Sequence, residues 1–193
     1  MDFNIVSFIF FLRNTFGLVF TPYATMRKIS IQKESGSILL IFFLAIVYFL
    51  ISQSVRSWIV GLCGAIALYG ESILFISILP SSSTFIDRLK RIVRTWSYSL
   101  IPTLLWFYAT LFLYYVIPPP RTSSLLGILF STVYIAFSAS LLIWKCILIY
   151  LVIRFSLRVQ IYRVIYYILL YLAVSGPLWI LFYMSGISRV PFV

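Results

Sequence analysis

Long apolar segments are the feature that most constrains the fold of this chain. Five segments reach the roughly 20 residues that an α-helix needs to cross the hydrocarbon core of a bilayer. Charged residues make up 10% of the chain and hydrophobic residues 63%, whereas about 25% of the residues of a water-soluble domain are charged. We therefore predict an all-α membrane protein with one bundle of five transmembrane helices in residues 36–193. The predicted spans are 36–55, 57–80, 96–117, 125–153 and 164–183.

Basic residues predict the orientation of these helices. Eleven of the 15 lysines and arginines lie in residues 1–35, 81–95 and 154–163, and three lie in the alternate connections and the C-terminal tail. Lysine and arginine favour the cytoplasmic side of a membrane. We therefore predict a cytoplasmic N-terminus and an extracytoplasmic or lumenal C-terminus. Topology and contact with an anionic membrane surface account for the net charge of +11, so we expect no nucleic-acid binding.

Residues 1–35 precede the first predicted span and contain an apolar run, 3–20, that is interrupted by Arg13 and Asn14. If this run crossed the membrane, the protein would have six spans and Arg13 would lie near the bilayer centre, which is costly. We favour an interfacial amphipathic helix on the cytoplasmic leaflet. A second, short helix is predicted from Pro22 to about Ile29, with Thr21 as its N-cap.

Two charged residues interrupt the predicted spans: Glu71 in the second and Lys145 in the fourth. At 1.5 Å per residue they lie about 13 Å and about 12 Å from the cytoplasmic ends of their helices. A charge at the bilayer centre costs about 2.5–3.5 kcal/mol on insertion scales, so we predict that Glu71 and Lys145 form an intramembrane pair. The pair is favoured as a structural clamp. A proton or ion relay, a polar substrate site and a snorkelling lysine are the alternatives.

Prolines are predicted to bend two of the spans. Pro102 lies in the third span, and Pro177 lies in the fifth, directly after Gly176. Proline removes a helix hydrogen bond and bends the helix. Bent helices can line a binding site or a gate, but a static kink is the favoured interpretation.

Basic residues of the loop before the third span and of the junction after the fourth form a candidate contact surface. Each positive charge near an anionic membrane surface contributes about 1 kcal/mol to binding. The same residues mark the cytoplasmic side, and an acidic protein partner is an alternative ligand. The candidate contact residues are Arg88, Lys90, Arg91, Arg94, Arg154 and Arg158.

The sequence lacks the residues of conventional enzyme and metal sites. It contains no histidine, which removes the commonest general base and metal ligand. Its two cysteines, Cys63 and Cys146, lie in different apolar segments, and we expect no disulfide between them. We therefore expect no catalytic activity, no metal and no cofactor.

Three segments resemble the Yip domain family of five-span membrane proteins, which interact with Ypt and Rab GTPases. They are the proline helix TPYATMRKI ahead of the first span, the stretch RLKRIVRTWSYSLIP leading into the third, and the long fourth span with its exit, LLIWKCILIYLVIRFSLRVQIYR. The predicted five-span arrangement, with its first basic segment in the cytoplasm, resembles the family as well. About 35 residues precede the first span, fewer than in eukaryotic members, so the chain is similar to the short prokaryotic ones. The resemblance implies a non-enzymatic protein that binds membranes or other membrane proteins.

These observations lead to three functional hypotheses. The favoured one is a membrane adaptor or organiser whose basic cytoplasmic face contacts anionic lipids and either a membrane-protein partner or a second copy of the chain. The second is a small channel or permease that uses Glu71 and Lys145. The third is a subunit of a larger membrane complex.

Overall fold

The computed structural model describes residues 5–32, 36–52, 55–79, 84–116 and 125–184. Within these ranges all regular secondary structure is helical, as predicted. The helices are α1 (Ile5–Phe20), α2 (Pro22–Ile31), α3 (Gly36–Ser52), α4 (Val55–Ile78), α5 (Phe85–Ser99), α6 (Ile101–Val116), α7 (Leu125–Leu157) and α8 (Ile161–Met184).

Three helical segments are long and apolar enough to cross a membrane: Phe85–Leu113, Gly127–Leu157 and Ile161–Leu178. Their length and composition indicate a membrane protein, and they contain most of the predicted third, fourth and fifth spans. The predicted first and second spans fall on α3 and α4. Helix α3 has 17 residues, and the apolar part of α4 in the described chain is the shorter segment Leu62–Ile78.

The predicted connection 81–95 is largely helical. Helix α5 begins after Thr84, whose hydroxyl donates a 2.8 Å hydrogen bond to Asp87 in the first turn. An acidic side chain at this position interacts favourably with the helix dipole. The apolar residues Ile92 and Trp96 are one helical turn apart and both are buried. The basic residues of this stretch therefore lie on a helix that continues into the core.

A single residue, Leu100, separates α5 from α6. Pro102 is the second residue of α6, in the first turn, where a helix does not need the N–H that proline lacks. Pro177 lies inside α8, which continues to Met184. The prolines therefore occupy two different settings, a break between helices and the interior of a helix.

Helices α1 and α2 fold against each other as a hairpin, and Asn14 of α1 donates to the side chain of Gln32, just after α2, at 3.4 Å. They approach closely at Gly17, where a Cβ atom would lie 2.6 Å from Thr25 Oγ1. Thr21 is the N-cap residue of α2, as predicted, but its side chain makes no capping hydrogen bond to that helix. Its hydroxyl instead donates to the carbonyl of Gly17 at 3.2 Å. Proline still begins α2, and the helix extends to Ile31.

The hairpin packs across α5 and α7. The buried amide of Asn14 donates to the hydroxyl of Tyr98 on α5 at 3.0 Å. The indole of Trp144 on α7 donates to the carbonyl of Leu18 at 3.3 Å. These contacts attach the N-terminal segment to helices that lie much later in the chain.

Candidate functional site

Glu71 lies at the interface of α4 and α8, beside buried serines. Ser175 donates to Glu71 Oε1 at 3.0 Å, and Ser72 Oγ lies 3.5 Å from Oε2. Ser72 also donates to the carbonyl of Leu68 at 2.9 Å and lies 2.9 Å from the hydroxyl of Tyr171. A serine hydroxyl has one proton, so when Ser72 donates to Leu68, the hydroxyl of Tyr171 is the donor to Ser72.

Lys145 lies at the interface of α7 and α6. Its amino group donates to Thr103 Oγ1 at 2.8 Å. Lys145 and Thr103 both border two cavities, a groove of about 390 Å³ between α6 and α7 and an inner cavity of about 140 Å³. Tyr69, Ser72 and Tyr171 line the inner cavity as well.

Glu71 and Lys145 border different cavities. The cavity beside Glu71, of about 500 Å³, is lined mainly by apolar residues such as Leu74 and Val174. The carboxylate of Glu71 has hydroxyl partners on serines of α4 and α8, and the amine of Lys145 donates to a threonine of α6. Both residues are half-buried and each has a hydroxyl partner on a neighbouring helix. A direct pair between Glu71 and Lys145 stays a prediction.

A double-mutant cycle tests whether Glu71 and Lys145 form a pair. If each is held by its own hydroxyl partner, we expect the losses in unfolding free energy from Glu71→Gln and Lys145→Met to add within about 0.3–0.5 kcal/mol, as they do for independent sites. Unfolding of the wild type, both single variants and the double variant in mixed micelles measures the coupling. If the double variant lost markedly less stability than the two single variants together, Glu71 and Lys145 would be a direct pair.

The basic candidate residues lie where α4 and α7 end and α5 begins. Arg91 donates through Nε to the carbonyl of Ser156 at 3.3 Å, and Arg88 donates to the carbonyl of Leu79. Arg154 stacks on the ring of Tyr23 at 5.0 Å, which adds α2 to this region. We call this surface the basic end and define it by Arg88, Lys90, Arg91, Arg94, Arg154 and Arg158.

Exposure differs widely among these residues. Lys90 and Arg158 are exposed, whereas Arg88, Arg94 and Arg154 are half-buried. Arg91 is 8% exposed, so it is buried between helices. The prediction that it lies on an open loop is wrong. Arg158 has a φ of 53°, a left-handed conformation that ends α7 and turns the chain toward α8.

Hydroxyl groups that link the helices are the feature that the sequence prediction missed. Thr95 and Ser156 are both fully buried, and their hydroxyls are 2.7 Å apart. Tyr69 and Ser97 join α4 to α5 at 2.8 Å. Such groups commonly hold membrane helices together. The alternating hydroxyl residues Thr95, Ser97 and Ser99, next to an apolar segment, are the signal that could have indicated them.

The described residues offer few groups with metal-binding or redox chemistry. They contain no group of three or more His, Cys, Asp or Glu residues that could hold a metal ion. Cys63 and Cys146 are free, exposed thiols.

Comparisons with known proteins found no match among family models, curated proteins or solved structures. The resemblance to the Yip domain family therefore rests on the sequence features alone. Within the described residues, the fold and the site are those of a helical membrane protein with hydroxyl-linked helix interfaces and a basic end.

Proposed function

We propose that this protein is a non-enzymatic membrane adaptor or organiser that binds anionic lipid headgroups through its basic end. The observation that carries the proposal is the convergence of basic side chains from α5 and α7 on one surface. A membrane-protein partner or a second copy of the chain is the proposed protein ligand. The resemblance to the Yip domain family supports a role of this kind.

The electrostatics of the basic end favour an anionic ligand. Arg88, Arg94 and Arg158 repel the buried charge of Arg91, and Asp87 attracts it. The carboxylate of Asp87 already accepts the hydroxyl of Thr84. A lipid phosphate would offset the remaining repulsion, and each basic residue near the surface contributes about 1 kcal/mol to such binding.

We further propose five spans, formed by α3, α4, the pair α5–α6, α7 and α8, with the hairpin α1–α2 in the cytoplasmic interface. Helix α2 is inclined at 112° to α3, which suits a helix that lies along the membrane beside one that crosses it. Ile5, Phe16 and Phe20 on α1 are more than 60% exposed, and these apolar side chains would insert into the leaflet. In this topology the C-terminus is extracytoplasmic or lumenal.

The alternative is a small channel or permease that uses Glu71 and Lys145. Conducting pathways have rings of polar or charged groups along their length. The cavities that contain the two residues are lined mainly by apolar side chains, including Leu74 and Leu178 beside Glu71 and Leu141 and Leu142 beside Lys145. This lining supports the adaptor over the channel.

Lipid binding with charge-matched variants tests the proposed function. We expect purified protein to bind phosphatidylglycerol in preference to phosphatidylcholine. The double variant Lys90→Gln/Arg158→Gln should weaken phosphatidylglycerol binding by about tenfold or more, since each exposed cation contributes about 1 kcal/mol. Native mass spectrometry with both lipids measures the two affinities.

The matched control is the double variant Arg56→Gln/Arg121→Gln, which removes two charges outside the basic end. Arg56 is the second residue of α4, at the end opposite Leu79, and Arg121 lies outside the described residues. The control should keep the wild-type preference. Equal weakening by both double variants, or equal binding of the two lipids by the wild type, would reject the basic end as the lipid site.

A further inference from the structure

The groove between α6 and α7 is lined by a cation, hydroxyl groups, aromatic rings and aliphatic side chains. Its volume is about 390 Å³, within the range of about 300–1,000 Å³ typical of small-molecule sites. The polar and aromatic side chains are those of Thr103, Trp106, Tyr134, Ser138 and Lys145.

The polar groups form three successive hydrogen-bonded pairs between the antiparallel helices α6 and α7. Lys145 donates to Thr103 at 2.8 Å. The indole of Trp106 donates to Ser138 at 3.0 Å. The hydroxyl of Tyr134 lies 2.6 Å from that of Thr110. The groove therefore has a polar strip with a cation at one end, and aliphatic side chains such as Ile135 and Leu142 beside it.

The charge in this groove has one sign. Among the described residues that line it, Lys145 supplies all of the formal charge. Lys145 lies 12 residues before the end of α7 at Leu157, or about 18 Å along the helix axis. A charge at this depth is weakly screened, so its attraction for an anion is stronger than at the membrane surface.

The shape and depth of the groove select the kind of anion. A ligand that enters from the membrane must carry an apolar chain, and its anionic group must be small enough to leave the headgroup region. A phospholipid headgroup occupies the membrane interface, where the proposed topology places the basic end. A single-chain carboxylate meets both requirements, because its charged group is compact and its chain can follow Ile135 and Leu142.

We propose that the α6–α7 groove binds a long-chain fatty acid. The carboxylate contacts the amino group of Lys145 and the hydroxyl of Thr103, and the acyl chain lies along the aliphatic wall past Trp106. This site is separate from the basic end, so it does not depend on the proposed adaptor function.

Quenching of tryptophan fluorescence by 9,10-dibromostearate tests the site in the full-length protein. We expect saturable quenching that competes with oleate and not with oleyl alcohol, which lacks the charge. Lys145→Met should weaken dibromostearate binding by about tenfold or more, as for the loss of a charge-assisted hydrogen bond. Lys145→Arg should retain most of the binding, and Trp106→Phe should remove most of the saturable quenching, because Trp106 lines the groove.

A second variant keeps the test decisive if Lys145→Met does not fold. Ala139 lines the groove and its side chain is exposed, so Ala139→Phe should fill the groove and abolish competition by oleate with little effect on folding. Equal competition by oleate and oleyl alcohol would reject the carboxylate site. Unchanged oleate binding in Ala139→Phe would reject the groove, and stronger competition by phosphatidylglycerol than by oleate would assign the quenching to a phospholipid.

Discussion

Replacing Tyr171 by alanine should lower the free energy of unfolding by about 2–3 kcal/mol. Tyr171 is 1% exposed and packs edge-on against Trp96 of α5, with ring centroids 5.6 Å apart. It also contacts Phe75 of α4. Aromatic-to-alanine changes in water-soluble cores cost about 3–5 kcal/mol. Part of that cost comes from the transfer of the ring out of water. This part is absent when lipid is the solvent, so we expect only the part that comes from packing.

Tyr171→Phe separates the packing of this residue from its hydrogen bond. It keeps the ring and removes the hydroxyl that lies 2.9 Å from the hydroxyl of Ser72. We therefore expect the free energy of unfolding to fall by about 0.6 kcal/mol, the average for hydrogen bonds between membrane helices. Reversible unfolding in mixed micelles measures both variants. Equal losses for alanine and phenylalanine would mean that the hydrogen bond, rather than the ring, holds α8 against α4 and α5.

Arg91→Leu should destabilise the protein by about 2 kcal/mol. The variant keeps an apolar stem but leaves the carbonyl of Ser156 in the last turn of α7 without the guanidinium of Arg91. A hydrogen bond to a charged group contributes about 1.5–3 kcal/mol, and a cation at a helix C-terminus adds about 0.3–1 kcal/mol. Relief of repulsion from Arg158, Arg94 and Arg88 offsets part of this loss.

Arg91→Lys and Lys90→Leu are the controls for Arg91. Arg91→Lys keeps the positive charge near the end of α7 and should lose less than half as much stability. Lys90→Leu removes a neighbouring charge that is exposed, and should change the stability by less than about 0.5 kcal/mol. The same unfolding assay distinguishes these cases. If Arg91→Leu were as stable as the wild type, repulsion within the basic end would outweigh the contact with Ser156.

Composition was enough to predict the helical class, because no water-soluble fold accommodates so many apolar residues. The apolar segments also located the helices that became α6, α7 and α8. Helix α5 was missed as a helix because the charges of 88–94 resemble a connection. Its apolar residues nevertheless recur at helical spacing, and Ile92 and Trp96 are buried.

The relation between Glu71 and Lys145 shows what a single sequence leaves undetermined. Counting residues gives the position of a side chain along its helix, and this count placed the two charges at one depth. It does not give the rotation of each helix about its axis. That rotation depends on packing with distant segments, such as Ser175, which is 104 residues from Glu71, and Thr103, which is 42 residues from Lys145.

The packing of the α1–α2 hairpin has a consequence for the order of events during synthesis. Asn14 is bonded to a residue 84 positions later, and Leu18 to one 126 positions later. At about 5–20 residues per second, Trp144 is made roughly 6–25 s after Leu18. The hairpin is therefore synthesised before the helices that hold it, and it has to wait outside the unfinished bundle. Its docking onto α5 and α7 follows the synthesis of those helices, so we expect an insertion factor or a chaperone to hold this segment during that interval.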